Sequence, residues 1–119
     1  MAEPFIIKQN DTRPRFVVSL LQDVGGVNEG AIDLTDATAV TFLMRLATES
    51  DPAAPKVEAA AVITDAVTGE VTYTWATGDT DTVGEYNVEV EIEWTDGGIE
   101  TVPNADYWTV EVIDDLGGT

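Results

Sequence analysis

A strict two-residue alternation over positions 84–95 constrains the fold more than any other feature of this sequence. Apolar and aromatic side chains occupy every second position, at Tyr86, Val88, Val90, Ile92 and Trp94. The positions between them hold Asn87, Glu89, Glu91 and Glu93. Successive side chains of a β-strand point to opposite faces, whereas a helix would scatter both groups around its circumference. The stretch therefore predicts a strand with one buried face and one acidic face.

The rest of the chain consists of short apolar runs separated by turn-forming residues. Asp-Gly at 96–97 lies between two such runs, which is a strong hairpin signal. The predicted strands are Phe5 to Lys8, Arg15 to Gln22, a short Ala31 to Leu34, Ala39 to Leu46, Lys56 to Thr64, Glu70 to Ala76, Gly84 to Thr95, Ile99 to Pro103 and Tyr107 to Ile113. The glycine-containing stretch from Asp23 to Gly30 is predicted as a loop.

One of these runs, Lys56 to Thr64, has a mixed signal. Its alanines favour a helix, while Val62, Ile63 and Thr64 favour a strand. So short a run between proline-rich and glycine-containing loops would make a poor helix, so we predict a strand.

These runs predict a single domain over residues 1–119, with tails at 1–4 and 115–119. The expected fold is an all-β, immunoglobulin-like antiparallel β-sandwich of about seven to nine strands. Tyr86 lies just inside the long strand and two residues after Gly84. This position resembles the tyrosine corner of immunoglobulin-like domains, in which the hydroxyl bonds to an upstream backbone group. The alternative is an ordinary strand tyrosine.

The charge balance limits the partners that the chain can have. There are 23 acidic and 5 basic residues, which give a formal net charge of −18. Such a chain is repelled by nucleic acid and by anionic lipid surfaces, so neither is expected as a partner. Abundant acidic residues with few lysines resemble the proteins of extreme halophiles, in which high salt screens the self-repulsion. The alternative is an ordinary acidic surface.

Residue types that support catalysis are scarce. The chain has no histidine and no cysteine, so it lacks the commonest acid–base group and the commonest zinc ligands. No Ser/His/Asp set and no glycine-rich phosphate loop can be assembled. The first residues have neither a basic n-region nor a long apolar h-region, so no signal peptide is expected, and the sequence has no apolar run of about 18 residues. We therefore expect a non-enzymatic protein with no catalytic residues, no cofactor and no metal.

Two groups of acidic residues have a functional interpretation as well as an ordinary surface one. Glu89, Glu91 and Glu93 could act as paired carboxylates, as in glycosidases, but a solvated strand face is the preferred interpretation. The stretch 79–81, with Asp33 and Asp36, could supply oxygen ligands to Ca²⁺. No twelve-residue calcium loop is present, and turns favour aspartate in any case.

The basic residues are concentrated in one place. Lys8, Arg13 and Arg15 supply three of the five basic groups within eight residues. They predict either a surface that docks on an acidic neighbouring subunit or a local ion pair with Asp11 or an acidic strand face. Tyr107 has the opposite parity to Trp108 and is added as a candidate exposed interface residue.

The three tryptophans share parity with apolar neighbours and are expected in the core: Trp75, Trp94 and Trp108.

Several motifs, taken in order, resemble one protein family. They are 7–14 (IKQNDTRP), 32–38 (IDLTDAT) before the strand 40–45, 69–75 (GEVTYTW), 79–80, 84–86 (GEY), 96–97 and 103–104 (PN). This ordered set is similar to the immunoglobulin-like N-terminal domain of the phage baseplate upper protein family, over about residues 5–116. In that family the domain anchors a larger receptor-binding or scaffold protein to the tail.

The resemblance implies a structural component of a tailed virus particle, in the tail, baseplate or neck, from a virus of a halophilic host. The chain would act by packing against other virion proteins, as a homo-oligomeric ring or lattice in the particle. A head-surface decoration protein of the capsid is the first alternative. A carbohydrate-binding or adhesion module is the second, and an exposed row of aromatic side chains would favour it.

Overall fold

The structure is a computed structural model that describes residues 4–24, 27–47, 55–102, 108–114 and 116. Within these ranges the chain forms ten strands and no helix. They therefore contain no helix long and apolar enough to cross a membrane. The strands are β1 (Phe5–Lys8), β2 (Phe16–Ser19), β3 (Leu21–Val24), β4 (Val27–Ala31), β5 (Ala37–Leu46), β6 (Val57–Asp65), β7 (Glu70–Tyr73), β8 (Gly84–Trp94), β9 (Ile99–Val102) and β10 (Trp108–Ile113).

The long alternating stretch forms β8, which lies at the centre of one sheet. From Tyr86 to Trp94 it pairs with β5 on one side. On the other side its first half pairs with β10 and its second half with β9. The predicted alternation is observed, because Tyr86, Val88, Val90 and Ile92 are all buried. The acidic positions between them are partly or fully exposed.

Strand β6 connects the two layers of the sandwich. Its first part, through Ala61, pairs with β5, and its second part, from Val62, pairs with β7. The hydrogen-bonded path therefore runs β1-β10-β8-β5-β6-β7-β2 and folds back on itself. Its two ends meet, since the rings of Phe5 and Phe16 have centroids 5.4 Å apart. The result is the immunoglobulin-like β-sandwich that the sequence predicts.

One pairing departs from a purely antiparallel arrangement. Strand β1 lies parallel to β10, with Phe5 opposite Val110 and Lys8 opposite Ile113. Every other strand pairing in the described ranges is antiparallel. The short first strand thus joins the edge of the sheet that contains β8.

An aromatic cluster fills the core near the start of β8. The rings of Phe42 and Tyr73 are stacked, with centroids 4.2 Å apart. Trp75 packs edge-on against both rings, and Phe16 packs edge-on against Phe42. Burial of such large side chains, together with their edge-to-face contacts, contributes a large share of the stability of small domains.

Most predicted strands are confirmed with small shifts at their ends. The strand interpretation of Lys56 to Thr64 is confirmed by β6. The predicted strand that ends at Ala76 stops at Tyr73, because the Ala76 amide bonds to the Asp79 side chain instead of a neighbouring strand. The predicted Pro103 and Tyr107 ends lie outside the described residues.

The region after β2 was predicted wrongly. The predicted loop of Asp23 to Gly30 contains most of a two-stranded hairpin, β3–β4, in which Leu21 lies opposite Ala31. The predicted strand from Ala31 to Leu34 is absent, since β4 ends at Ala31. The amide of Leu34 instead donates to the carbonyl of Ala66, which lies in the turn between β6 and β7. The first error arises because cross-strand pairing outweighs the turn-forming composition of this region.

Candidate functional site: a clamped basic segment

The three predicted interface cations lie together on the connection between β1 and β2. We call residues 8–15 the basic segment. Lys8 is the last residue of β1, and Arg13 and Arg15 precede β2. All three side chains are exposed, and none forms an ion pair with an acidic residue of the described ranges. The predicted docking surface therefore has free cations to offer, and the alternative of a local pair with Asp11 is not observed.

The backbone of the basic segment is held by two other parts of the chain. The Gln9 amide donates to the Ile113 carbonyl at the end of β10, at 2.8 Å. The Asn10 amide donates to the Thr80 carbonyl at 2.9 Å. In return the Thr80 hydroxyl donates to the Asp11 carbonyl at 2.8 Å. Because Thr80 is buried, this reciprocal pair of bonds is shielded from competing water.

A further bond holds the part of the segment that carries the arginines. The indole Nε1 of buried Trp75 donates to the carbonyl of Pro14 at 3.0 Å. Pro14 lies directly between Arg13 and Arg15, and its peptide bond with Arg13 is cis. The Trp75 bond holds the backbone between the two arginines, which lowers the entropy lost when a partner binds.

The β7–β8 loop (residues 74–83), which supplies this clamp, is itself held by Asp79. One carboxylate oxygen of Asp79 accepts hydrogen bonds from the Tyr73 hydroxyl and from the Ala76 amide. Burial, followed by the hydrogen bond to Asp79 and its negative charge, raises the pKa of Tyr73 well above its usual range. The phenol thus stays protonated as a donor, and Asp79 has a structural role.

The other end of the loop is held by Lys56, which directly precedes β6. Lys56 forms an ion pair with Asp81, which also accepts a hydrogen bond from the Thr82 hydroxyl. The Lys56 hydrogen bond is the main cause that lowers the pKa of the Asp81 carboxyl. The buried Tyr86 hydroxyl donates to the Thr82 carbonyl at 2.7 Å, four residues upstream. This bond has the geometry of a tyrosine corner.

Three of the four aspartates considered for Ca²⁺ are engaged in other contacts: Asp33, Asp79 and Asp81. Asp33 accepts bonds from the amide and the hydroxyl of Thr35, which lower the pKa of its carboxyl. Asp79 and Asp81 hold the β7–β8 loop as described above. In the ranges that the structure describes, no group of three potential metal ligands comes together.

The predicted acidic row forms the outer face of β8, which we call the glutamate face. It consists of Glu89, Glu91 and Glu93. Their neighbours across β5 are Leu43, Thr41 and Ala39, which contribute no charge. Partial burial raises the pKa of Glu89, and the charge of Arg45 acts in the opposite direction. The face is an open sheet surface, so it offers negative charge but no enclosed site for acid–base chemistry.

None of the aromatic side chains in the described ranges is exposed. Trp75 is buried, whereas Trp94 and Trp108 are half-buried and pack against the core. Tyr107, the candidate exposed aromatic, lies outside the described residues.

Three of the four predicted interface residues thus lie on one described segment, the basic segment. Sequence reasoning missed the residues that clamp it, Trp75 and Thr80.

Comparisons with known proteins assign no family to this chain. No family model matches it, and no curated protein matches it. Among solved structures, it is similar to the crystal structure of CopC from Methylosinus trichosporium OB3b. The similarity covers 95% of this chain and 86% of that chain, with a TM-score of 0.48 and 15% sequence identity.

Proposed function

We propose that this chain is a structural subunit of a tailed virus particle, located in the tail, baseplate or neck, and that it docks on an acidic neighbour through the basic segment. The virus-particle role is suggested by the ordered motifs that resemble the phage baseplate upper protein family. The immunoglobulin-like sandwich is the fold that this resemblance implies. One observation carries the proposal. Three exposed cations, without a described acidic partner, are displayed on a clamped backbone in a chain with net charge −18.

The chemistry of the segment suits a carboxylate-bearing protein surface. A guanidinium group offers a planar fork of donors that matches a carboxylate with two parallel hydrogen bonds. Arg13 and Arg15 flank Pro14, whose carbonyl accepts a hydrogen bond from Trp75. This bond fixes the backbone that carries both guanidinium groups. A polyanion such as nucleic acid would meet the repulsion of the remaining surface, which carries most of the 23 acidic residues.

A halophilic host is part of this proposal. Near-molar salt shortens the screening length to about 3 Å and so removes most of the repulsion between neighbouring subunits. Close contacts between an arginine and a carboxylate that exclude water are screened much less. Subunits with this composition would then pack in salt while keeping the specificity of the arginine contacts.

The proposal is tested by mass spectrometry of purified virus particles after heads and tails are separated. We expect the chain in the tail fraction at a fixed ratio to other tail proteins. Recovery with the heads would replace the tail position by a capsid decoration role, and absence from both fractions would refute the virion proposal. The carbohydrate-binding alternative has no exposed aromatic side chain in the described ranges to favour it.

A further inference from the structure

Two surfaces of opposite charge lie at different positions along the sandwich. Lys8 lies opposite Ile113, and the neighbouring Val112 lies opposite Gly84, so the basic segment is near the start of β8. Glu91 and Glu93 are seven and nine residues farther along that strand. At roughly 3.3 Å per residue, this is a separation of about 23–30 Å. The two surfaces are therefore separated within one molecule. This leaves the cations of the basic segment to contact the glutamate face of another molecule.

The glutamate face has carboxylates to offer. Glu91 and Glu93 form no ion pair with any residue that the structure describes. Glu91 lies between Thr41 on β5 and Thr101 on β9, so the surface beside it is polar but uncharged. Glu89 is already partly desolvated, and a cation arriving from outside would stabilise its charged form.

We propose that the neighbour which receives the basic segment is a second copy of this chain, whose glutamate face binds Arg13 and Arg15. This inference rests on the proposed function and names its partner. The complementarity of charge is the argument for the occupant, because the same molecule carries two exposed arginines and a row of glutamates that is exposed at Glu93 and partly exposed at Glu89 and Glu91. A contact between two different patches is heterologous, so repeated copies close into a ring or extend into a filament.

Self-association through these two patches also explains how an acidic chain can pack with itself. The net charge of −18 makes copies repel each other, but at physiological ionic strength this repulsion is largely screened at separations beyond about 8 Å. The local pairing of arginine with carboxylate acts at contact distance. It therefore selects one orientation of approach among many repulsive ones.

The test exchanges the charges of the two patches one at a time. Arg13→Glu reverses the basic patch, and Glu91→Arg reverses the glutamate face. Glu91 is preferred to Glu89 because a new arginine there avoids the charge of Arg45. Asp65→Arg is the matched control: it makes the same change in net charge as Glu91→Arg, and Asp65 is an exposed residue at the end of β6, outside both patches. Sedimentation equilibrium up to about 1 mM protein measures the dissociation constant, at 0.15 M and 1 M salt.

We expect the wild-type chain and Asp65→Arg to associate, and each single reversal to raise the dissociation constant by roughly 30-fold or more. Mixing Arg13→Glu with Glu91→Arg restores association, because the reversed patches attract each other. A wild-type chain that stays monomeric, or a mixture that does not recover, overturns the inference. If the chain is nevertheless found in virus tails, the proposed function stands and its neighbour is a different protein.

Discussion

Removing the hydroxyl of Tyr86 gives a direct measure of how firmly the β7–β8 loop is attached to β8. In Tyr86→Phe the ring keeps its place in the core, where the side chain is 1% exposed, and only the bond to the Thr82 carbonyl is lost. One net hydrogen bond contributes about 1 kcal/mol to the free energy of unfolding. Thr82 is exposed, so water is able to bond its carbonyl, and no penalty for a buried acceptor is added.

The expected loss is therefore about 1 kcal/mol, which for a chain of 119 residues corresponds to a fall in Tm of roughly 4 °C. Urea unfolding followed by circular dichroism measures the free energy, and calorimetry measures Tm. Thr82→Ala is the control, because it keeps the backbone carbonyl that accepts the bond. The control loses only an exposed hydroxyl contact with Asp81 and should change stability by less than about 0.5 kcal/mol.

Two results would refute this reasoning. A loss below about 0.3 kcal/mol in Tyr86→Phe would mean that the hydroxyl contributes no net bond. A loss in Thr82→Ala as large as that in Tyr86→Phe would mean that the side chains of the loop, and not the tyrosine corner, attach it to the strand.

Two further predictions concern pH and salt. Burial and Asp79 raise the pKa of Tyr73 above its usual value of about 10. The unfolded chain therefore loses this proton at lower pH than the folded chain does, so stability is complete below about pH 10 and falls as pH rises further. Tyr73→Phe should lower stability at pH 7 and flatten that alkaline decline, as measured by urea unfolding between pH 7 and 11; an equally steep decline would contradict the assignment. The net charge of −18 predicts that the fold is loosened below about 0.1 M salt, where the screening length exceeds about 10 Å. Equal thermal midpoints at 10 mM and 1 M salt would remove the halophilic interpretation.

The sequence predicts β8 well because the information is local. Alternation with period two reports which face of a strand is buried, and Val88 and Glu89 follow it in the structure. The hairpin β3–β4 could not be predicted in this way. Its composition is that of a loop, and its strands exist because Leu21 and Ala31 pair across it. Propensity describes one segment at a time, whereas pairing depends on two.

The same distinction between local and long-range information applies to the candidate site. The concentration of Lys8, Arg13 and Arg15 is visible in the sequence, and so is the suggestion of a docking surface. The clamp is not visible, because Thr80 and Asp11 are separated by 69 residues along the chain. A threonine between two aspartates suggests a cation site when only its neighbours in sequence are considered. In the fold the same threonine is a buried donor to a distant backbone carbonyl.

The parallel pairing of β1 with β10 has a mechanical consequence. The chain enters this pair beside Val110 and leaves it beyond Ile113, so the entry and exit points lie at opposite ends of one ladder. Tension between these points is directed along the strands and loads all the bonds of the ladder at once. An antiparallel pair pulled from neighbouring ends would instead open one bond at a time. Strands β1 and β10 thus form a shear joint that resists stretching along the chain.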